Sequence, residues 1–140
     1  FLYGQLEEWQ EIQKKRKNIW KRYNKELSDW AEQNGVRRPI VPEDCEQAYH
    51  MYYLLMPSGE CRAKLIAQLK DRGVMAVFHY LPLNSSKFAV QMAEKSWQKF
   101  QCPVSEDVAD RLVRLPFYSN MSHDDQSRVL EAVLKFDSLT

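Results

Sequence analysis

The chain has 140 residues, of which 28% are charged and 44% hydrophobic, and its 20 basic and 19 acidic side chains leave a formal net charge of +1. This composition is typical of a globular domain and excludes disordered, collagen-like and disulfide-scaffold proteins. No apolar stretch approaches the roughly 20 residues needed to cross a bilayer, so we expect no membrane segment and no membrane partner.

The first predicted element is a long helix. Large apolar residues recur at steps of three, four and seven from Leu2 to Trp30, which is the spacing of one helical stripe. Asn34-Gly35 supplies the stop, because glycine tolerates the left-handed conformation that closes a helix. The stripe is already established at residue 2 with no capping residue before it. We therefore expect the chain to be a fragment cut within a helix of a longer protein.

The long helix also carries most of the basic charge, with nine basic and six acidic side chains in residues 1–38. A cluster of cations at 14–22, interleaved with Trp20, is compatible with phosphate contacts and base stacking. Glu7, Glu8 and Glu11 dilute the cluster, and the whole chain is nearly neutral. We interpret the cluster as a solvated helix face and expect no nucleic-acid partner.

After a linker at 37–44 the pattern alternates between strands and helices. Residues 49–56 (YHMYYLLM) predict a strand covered on both faces, and Ser58 can cap a helix from about Glu60 to Arg72 that stops at Gly73. Residues 74–79 (VMAVFH) predict a second strand. Both strands are short and apolar, as expected for the interior of a small sheet.

The C-terminal part predicts three helices and one more strand. Residues 85–100 are helical in composition, 104–112 form a short helix, and 113–117 form a strand limited by Pro116. Ser122 caps a last helix whose inner face carries Val129, Val133 and Phe136. The order α, β, α, β, α, α, β, α predicts an α+β domain, with a small sheet of about three strands and flanking helices on one side.

The three cysteines do not form a recognisable site. Cys45, Cys61 and Cys102 are odd in number, far apart and without a histidine at ligand spacing. A zinc site or a disulfide framework needs closer spacing. We expect free thiols in a reducing cytoplasm and no metal.

The residues His79-Tyr80-Leu81-Pro82-Leu83-Asn84 form the best candidate site. They place a polar aromatic pair at the end of a strand, followed by a loop stiffened by proline, and binding groups tend to lie at such ends. His123 is predicted to lie on the surface, and His50 in the core or at an interface. With no partner nucleophile, metal set or glycine-rich phosphate loop, spacing alone does not establish an enzyme.

Four stretches of the chain resemble the C-terminal part of the DegT/StrS sugar aminotransferases. These stretches are LYGQLEEWQEIQKKRKNIWKRYNKEL, EQAYHMYYLL, LKDRGVMAVFHYLPLN and CPVSEDVADRLVRLPFY. The most specific pieces are HYLPL, which ends a strand, and RLPFY. The resemblance implies the small C-terminal domain of a type I, aspartate aminotransferase-like enzyme, with 1–38 as an interdomain helix and linker and 39–140 as the small domain.

The resemblance implies that the parent enzyme uses pyridoxal phosphate, held by a lysine and an aspartate in a large domain upstream of Phe1. It implies a homodimer that transfers an amino group, commonly from glutamate, to a nucleotide-diphosphate keto-sugar of cell-surface (lipopolysaccharide) polysaccharide biosynthesis. No residue of this chain then holds the cofactor or is catalytic. We expect the isolated chain to bind no cofactor and to be inactive.

Residue by residue, the resemblance implies substrate contacts for His79 and Tyr80 at the edge of the sugar-nucleotide pocket. The family pattern continues with Pro-Leu-His, whereas Pro82-Leu83 is followed here by Asn84. Asparagine donates and accepts hydrogen bonds but carries no charge, so we expect Asn84 to contact substrate without moving a proton. The alternative is a free-standing α+β interaction or dimerisation module whose first helix packs against another chain.

Overall fold

A computed structural model describes residues 2–96 and 101–136. The predicted N-terminal helix is present as three consecutive segments, α1 (Leu2–Glu7), α2 (Trp9–Glu26) and α3 (Ser28–Gln33). Glu8 and Leu27 interrupt them, with ψ angles of 9° and 5°. The helical stretch ends at Gly35 with φ +61°, as the sequence predicted.

The sheet has three short antiparallel strands, β1 (Tyr53–Leu55), β2 (Val77–Phe78) and β3 (Leu112–Arg114), in the order β1-β3-β2. The last strand in the sequence is therefore the central one. Arg37 adds a bridge to the free side of β1, exchanging backbone hydrogen bonds with Leu55 at N···O distances of 3.0 and 2.9 Å.

All three strands are shorter than the sequence predicted. The strand predicted at 49–56 is confined to Tyr53–Leu55, and Tyr49 has a left-handed φ of 48°, which is incompatible with a strand at that residue. The strand predicted at 74–79 keeps only Val77 and Phe78. The strand predicted at 113–117 spans Leu112–Arg114, before Pro116.

The remaining helices are α4 (Gly59–Asp71), α5 (Lys87–Ser96), α6 (Pro103–Arg111) and α7 (His123–Leu134), with a 3-10 turn at Leu83–Ser85. Ser58 and Ser122 cap α4 and α7 as predicted, each accepting from a backbone N–H three residues later. The helix predicted at 85–100 is confirmed over Lys87–Ser96, and its predicted end at 97–100 lies outside the described residues.

The core lies between the helical stretch, the sheet, α4 and α7. It includes fully buried side chains from each of these parts, among them Tyr23, Leu27, Leu54, Leu65, Val113 and Val133. Long-range hydrogen bonds fasten the helical stretch to the C-terminal part of the chain, among them two from Arg22 to His123 and Ser127. Tyr23 Oη donates to the Pro116 carbonyl (3.0 Å), Trp30 Nε1 to that of Phe136 (2.7 Å), and Gln126 Nε2 to that of Ile19 (2.8 Å).

This architecture is the α+β fold predicted from the sequence: mainly helical, with one small sheet. The predicted inner face of the last helix is confirmed, because Val129, Val133 and Phe136 are buried.

Candidate functional site

The predicted site begins where β2 ends. Val77 lies opposite Arg114 in the register of β2 with β3, and Arg114 also lies opposite Tyr53 of β1. Side chains directly opposite one another project from the same face of a sheet, and so do residues two apart in a strand. His79, two residues beyond Val77, therefore continues the face that carries Arg114.

His79 is half-buried beside Tyr80, with ring centroids 5.0 Å apart and ring planes inclined at 58°. Its Nδ1 atom is buried and has no hydrogen-bond partner within the described chain. Burial lowers the pKa of His79 below its ordinary value of 6.5, and the positive charge of Arg114 and the proximity of His50 lower it further. These effects favour the neutral imidazole in the folded chain, and its Nδ1, unpartnered within the described residues, is enclosed by protein.

Tyr80 is 75% exposed, and its ring lies over the guanidinium of Arg114, with 5.6 Å from Cζ to the ring centroid. This is a cation–π contact, and it leaves the tyrosine hydroxyl in solvent. Arg114 is a member of the site that the sequence analysis missed. The available signal was a single charged residue within the apolar run LVRLPF.

Asn84 lies in the 3-10 turn and is half-buried. Its Nδ2 donates to Oε1 of Glu106 in the first turn of α6, an oxygen that also accepts from the Cys102 backbone N–H at 3.2 Å. This contact positions the turn that follows Pro82 against α6. The structure thus brings His79, Tyr80 and Arg114 together and places Asn84 against a different element.

Of the two positions predicted for His50, the core and an interface, the core position is wrong. Its side chain is exposed, and it precedes β1, next to Tyr49 with its left-handed backbone. The Tyr49 ring packs edge-on against Trp20, at a centroid distance of 5.8 Å, and Lys17 Nζ lies 5.6 Å from its centre. These contacts hold the turn, and His50 is close enough to affect the pKa of His79.

The other sequence candidates do not form a site. His123 is exposed, as predicted; Cys45 and Cys102 are exposed and Cys61 is half-buried. Within 2–96 and 101–136, no group of three histidine, cysteine or acidic side chains is arranged to hold a metal ion. No helix in those same ranges is long and apolar enough to cross a membrane.

The lysines are relevant to the cofactor that the resemblance implies. All nine lysines whose exposure the structure describes are exposed: Lys14, Lys15, Lys17, Lys21, Lys25, Lys64, Lys70, Lys87 and Lys135. A lysine that binds a cofactor aldehyde at neutral pH needs an enclosed site that lowers its pKa. These lysines do not fit that role, and the chemistry of the described residues is that of ligand contact.

The chain was also compared with known proteins. The DegT/DnrJ/EryC1/StrS aminotransferase family matches residues 1–134. An uncharacterised protein of Methanocaldococcus jannaschii, MJ1066, is 30% identical over 96% of this chain and 34% of its own length. The dTDP-3-amino-3,4,6-trideoxy-alpha-D-glucose transaminase of Micromonospora megalomicea is 27% identical over 84% of this chain and 30% of its own.

Among solved structures, the aminotransferase TlmJ from Streptoalloteichus hindustanus superposes with a TM-score of 0.77 at 26% identity. That match covers 94% of this chain and 33% of TlmJ. DesV of S. venezuelae superposes with a TM-score of 0.82 at 21% identity, over 96% of this chain and 34% of DesV, and supports the fold.

The chain spans about a third of the length of the curated relatives it matches. The family match itself extends over 134 of the 140 residues, from the helical stretch through the sheet to the end of α7. The chain belongs to the DegT/DnrJ/EryC1/StrS aminotransferase family.

Proposed function

We propose that the chain is the C-terminal part of a pyridoxal-phosphate-dependent aminotransferase that transfers an amino group, from glutamate, to a nucleotide-linked keto-deoxysugar. The observation that carries the proposal is the family match over residues 1–134. When bound, pyridoxal phosphate supplies the electron sink that amino transfer requires. The residues that hold it belong, in this proposal, to a large domain that precedes Phe1.

The nucleotide in this proposal is thymidine diphosphate. Two relatives are dTDP-sugar transaminases, one from Micromonospora megalomicea and one from Aneurinibacillus thermoaerophilus. The sequence also resembles the TDP-4-oxo-6-deoxyglucose aminotransferase of enterobacterial common antigen synthesis. A TDP-linked keto-deoxysugar is therefore the first substrate to test, and cell-surface polysaccharide is the proposed destination of the product. A relative from Bacillus subtilis, named for spore coat polysaccharide biosynthesis, supports that destination.

The proposed organisation has 1–38 as the interdomain helix and linker and 39–140 as the small domain. Trp9 and the apolar side chains of α1 are exposed, whereas the helical stretch from Ile19 onward is buried in the core. A helix that is buried at one end only is suited to join two domains. We further propose a cytoplasmic homodimer with the active sites near the subunit interface.

Within this enzyme, His79 and Tyr80 contact the substrate. His79 contributes a half-buried imidazole at the end of β2, and Tyr80 offers an exposed hydroxyl. Asn84 is proposed to contact substrate from the 3-10 turn held by Glu106. These side chains bind and orient, and none of them is placed as the group that moves the reacting proton.

The decisive experiment expresses the parent protein and follows 2-oxoglutarate formation from glutamate in the presence of TDP-4-oxo-6-deoxyglucose. We expect turnover and a new amino-sugar nucleotide by mass spectrometry. Absence of turnover with TDP- and UDP-linked keto-deoxysugars would contradict the proposal. The isolated chain mixed with pyridoxal phosphate is expected to give no stoichiometric, borohydride-trappable adduct and no transaminase activity.

The second candidate function is a free-standing interaction or dimerisation module. It is favoured by the exposed apolar side chains at the N-terminal end: Leu2, Tyr3, Leu6 and Trp9. A native gene that begins near Phe1 with its own methionine would support this module. A cofactor-binding domain encoded upstream would exclude it.

A further inference from the structure

Arg114 is one of three half-buried arginines that no carboxylate holds within the described residues; the other two, Arg16 and Arg38, lie outside the candidate site. Arg22, Arg62 and Arg111 are also half-buried, and each is held by a carboxylate, those of Glu26, Asp110 and Asp107 respectively. Within the described residues Arg114 has no salt bridge, and its Nε is buried without a hydrogen-bond partner. A half-buried guanidinium that lacks an anion has lost part of its hydration, and in Arg114 the cation–π contact with Tyr80 is the compensation that the structure shows.

The guanidinium of Arg114 is positioned by the two neighbouring strands and by the ring of Tyr80. Arg114 lies in the central strand, opposite Tyr53 on one neighbour and Val77 on the other. The Tyr80 ring covers the guanidinium from one direction, at 5.6 Å from Cζ to the ring centroid. An arginine held this way loses little side-chain entropy when it binds, which is the condition for a specific ion contact.

The groups that the structure places around Arg114 carry no negative charge at neutral pH. Tyr53 lies opposite it, Tyr80 covers it, and the positive charge of Arg114 disfavours protonation of nearby His79. Tyr80 contributes the face of a ring. An incoming oxyanion would thus meet a guanidinium, a neutral imidazole and a phenol, with no competing carboxylate among these neighbours.

We propose that Arg114 binds an oxyanion of the substrate, with His79 and Tyr80 forming the rest of that subsite. The proposal rests on the proposed function, which supplies two oxyanions: the carboxylate of the amino donor and the phosphate of the sugar nucleotide. Both match the planar fork of donors that a guanidinium presents. In this subsite Arg114 recognises the substrate by its charge, and His79 and Tyr80 add uncharged contacts.

The test measures binding in the parent protein by titration calorimetry, with glutarate as the carboxylate probe and TDP as the phosphate probe. Arg114→Gln is expected to weaken binding of one probe about tenfold or more, since a lost charged hydrogen bond typically has that effect. Weaker glutarate binding identifies the carboxylate as the ligand, and weaker TDP binding identifies the phosphate. Unchanged binding of both probes by the folded variant would overturn the proposal.

Two controls keep the result interpretable. Arg72→Gln removes an exposed arginine at the end of α4 and is expected to leave both affinities within about twofold of wild type. Arg114→Met keeps an unbranched stem without the charge and replaces the glutamine variant if that variant does not fold.

A measurement on the wild-type protein needs no variant. Phenylglyoxal modifies accessible arginines, and peptide mass spectrometry reads the extent of modification at Arg114. Saturating glutarate or TDP is expected to protect Arg114 and to leave Arg72 reactive, and equal modification with and without both probes would contradict the proposal. Neither binding nor protection requires turnover. A parent protein that binds through Arg114 but does not transaminate would therefore disprove the proposed function alone.

Discussion

Two regions of this molecule use similar side chains in opposite ways. Where α2 and α3 meet α7, the apolar residues Tyr23, Leu27 and Trp30 are buried, and hydrogen bonds connect the helices to distant carbonyls. Between residues 75 and 92, most of the large apolar side chains are exposed: Met75, Val77, Phe78, Tyr80, Leu81, Leu83, Phe88, Val90 and Met92. The first region holds the fold together, and the second carries the candidate site.

The difference shows that hydrophobic composition alone does not locate stability. A leucine contributes to the free energy of unfolding only to the extent that folding removes it from water. Leu27 is 0% exposed and Leu83 is 88% exposed. Exposed apolar side chains beside polar site residues are a common property of surfaces that meet a partner or a ligand.

The largest expected effect comes from a pair of leucine truncations. Leu27→Ala should lower the free energy of unfolding by about 2–5 kcal/mol, because it leaves a cavity in the core. Leu83→Ala should change it by less than about 0.5 kcal/mol. Urea titrations followed by tryptophan fluorescence measure both values, and equal losses would show that the 75–92 segment is packed.

A pair of tyrosines tests the hydrogen bonds separately from the packing. Tyr23→Phe removes the donor to the Pro116 carbonyl and should cost about 1–3 kcal/mol of unfolding free energy. Tyr80→Phe removes an exposed hydroxyl and should leave stability unchanged while raising the KM of the parent enzyme for its sugar nucleotide. A stability loss in Tyr80→Phe with unchanged KM would assign Tyr80 a structural role instead.

Removal of a serine that caps a helix should have a smaller effect on the free energy of unfolding. Ser122 accepts from the Asp125 backbone N–H at 3.0 Å, and Ser122→Ala should destabilise the whole domain by about 1 kcal/mol, because α7 is part of the core. Ser86 accepts from the Ala89 N–H at 3.2 Å, at the start of α5. Ser86→Ala should increase amide hydrogen exchange within α5 and leave the global transition in place. A global loss equal to that of Ser122→Ala would contradict the comparison.

The smallest effect is in the titration of His79. Its pKa lies below 6.5 in the folded chain, so the unfolded state binds more protons as the pH falls through 6.5, and stability is lost on acidification in that range. NMR titration of the imidazole should give a pKa below 6.5 that rises in Arg114→Gln, because one of the charges that lowers it is removed. An unchanged pKa in that variant would contradict the placement of Arg114 beside His79.

The sequence predicted the order and type of the elements because their signals are local. Helical spacing, the capping serines and the glycines at 35 and 73 act within a few residues, and Gly35, Gly73, Ser58 and Ser122 all have the predicted roles. Strand lengths depend on pairing between distant residues. The left-handed turn at Tyr49 depends on packing against Trp20, so local pattern did not reveal it.

The candidate site was predictable only where its residues are close together in the sequence. His79 and Tyr80 are adjacent in the sequence, and their motif identified them. Arg114 joins them only because β3 pairs with β2 across more than thirty residues of intervening chain. His50 was assigned to the core or an interface from an apolar run of which only Tyr53–Leu55 forms a strand. The pairing that places Arg114 and the backbone conformation near His50 both depend on residues that are distant in the sequence.

The central place of β3 has a consequence for biosynthesis. During translation, β1 and β2 emerge with no strand to pair with until Leu112–Arg114 has been made, and the residues that bond Tyr23, Trp30 and Ile19 come later still. Contacts of this sequence separation delay folding until loop closure over most of the chain is complete. A chain that ends before residue 112 would therefore lack the strand that pairs with both β1 and β2, and their exposed edges would favour aggregation.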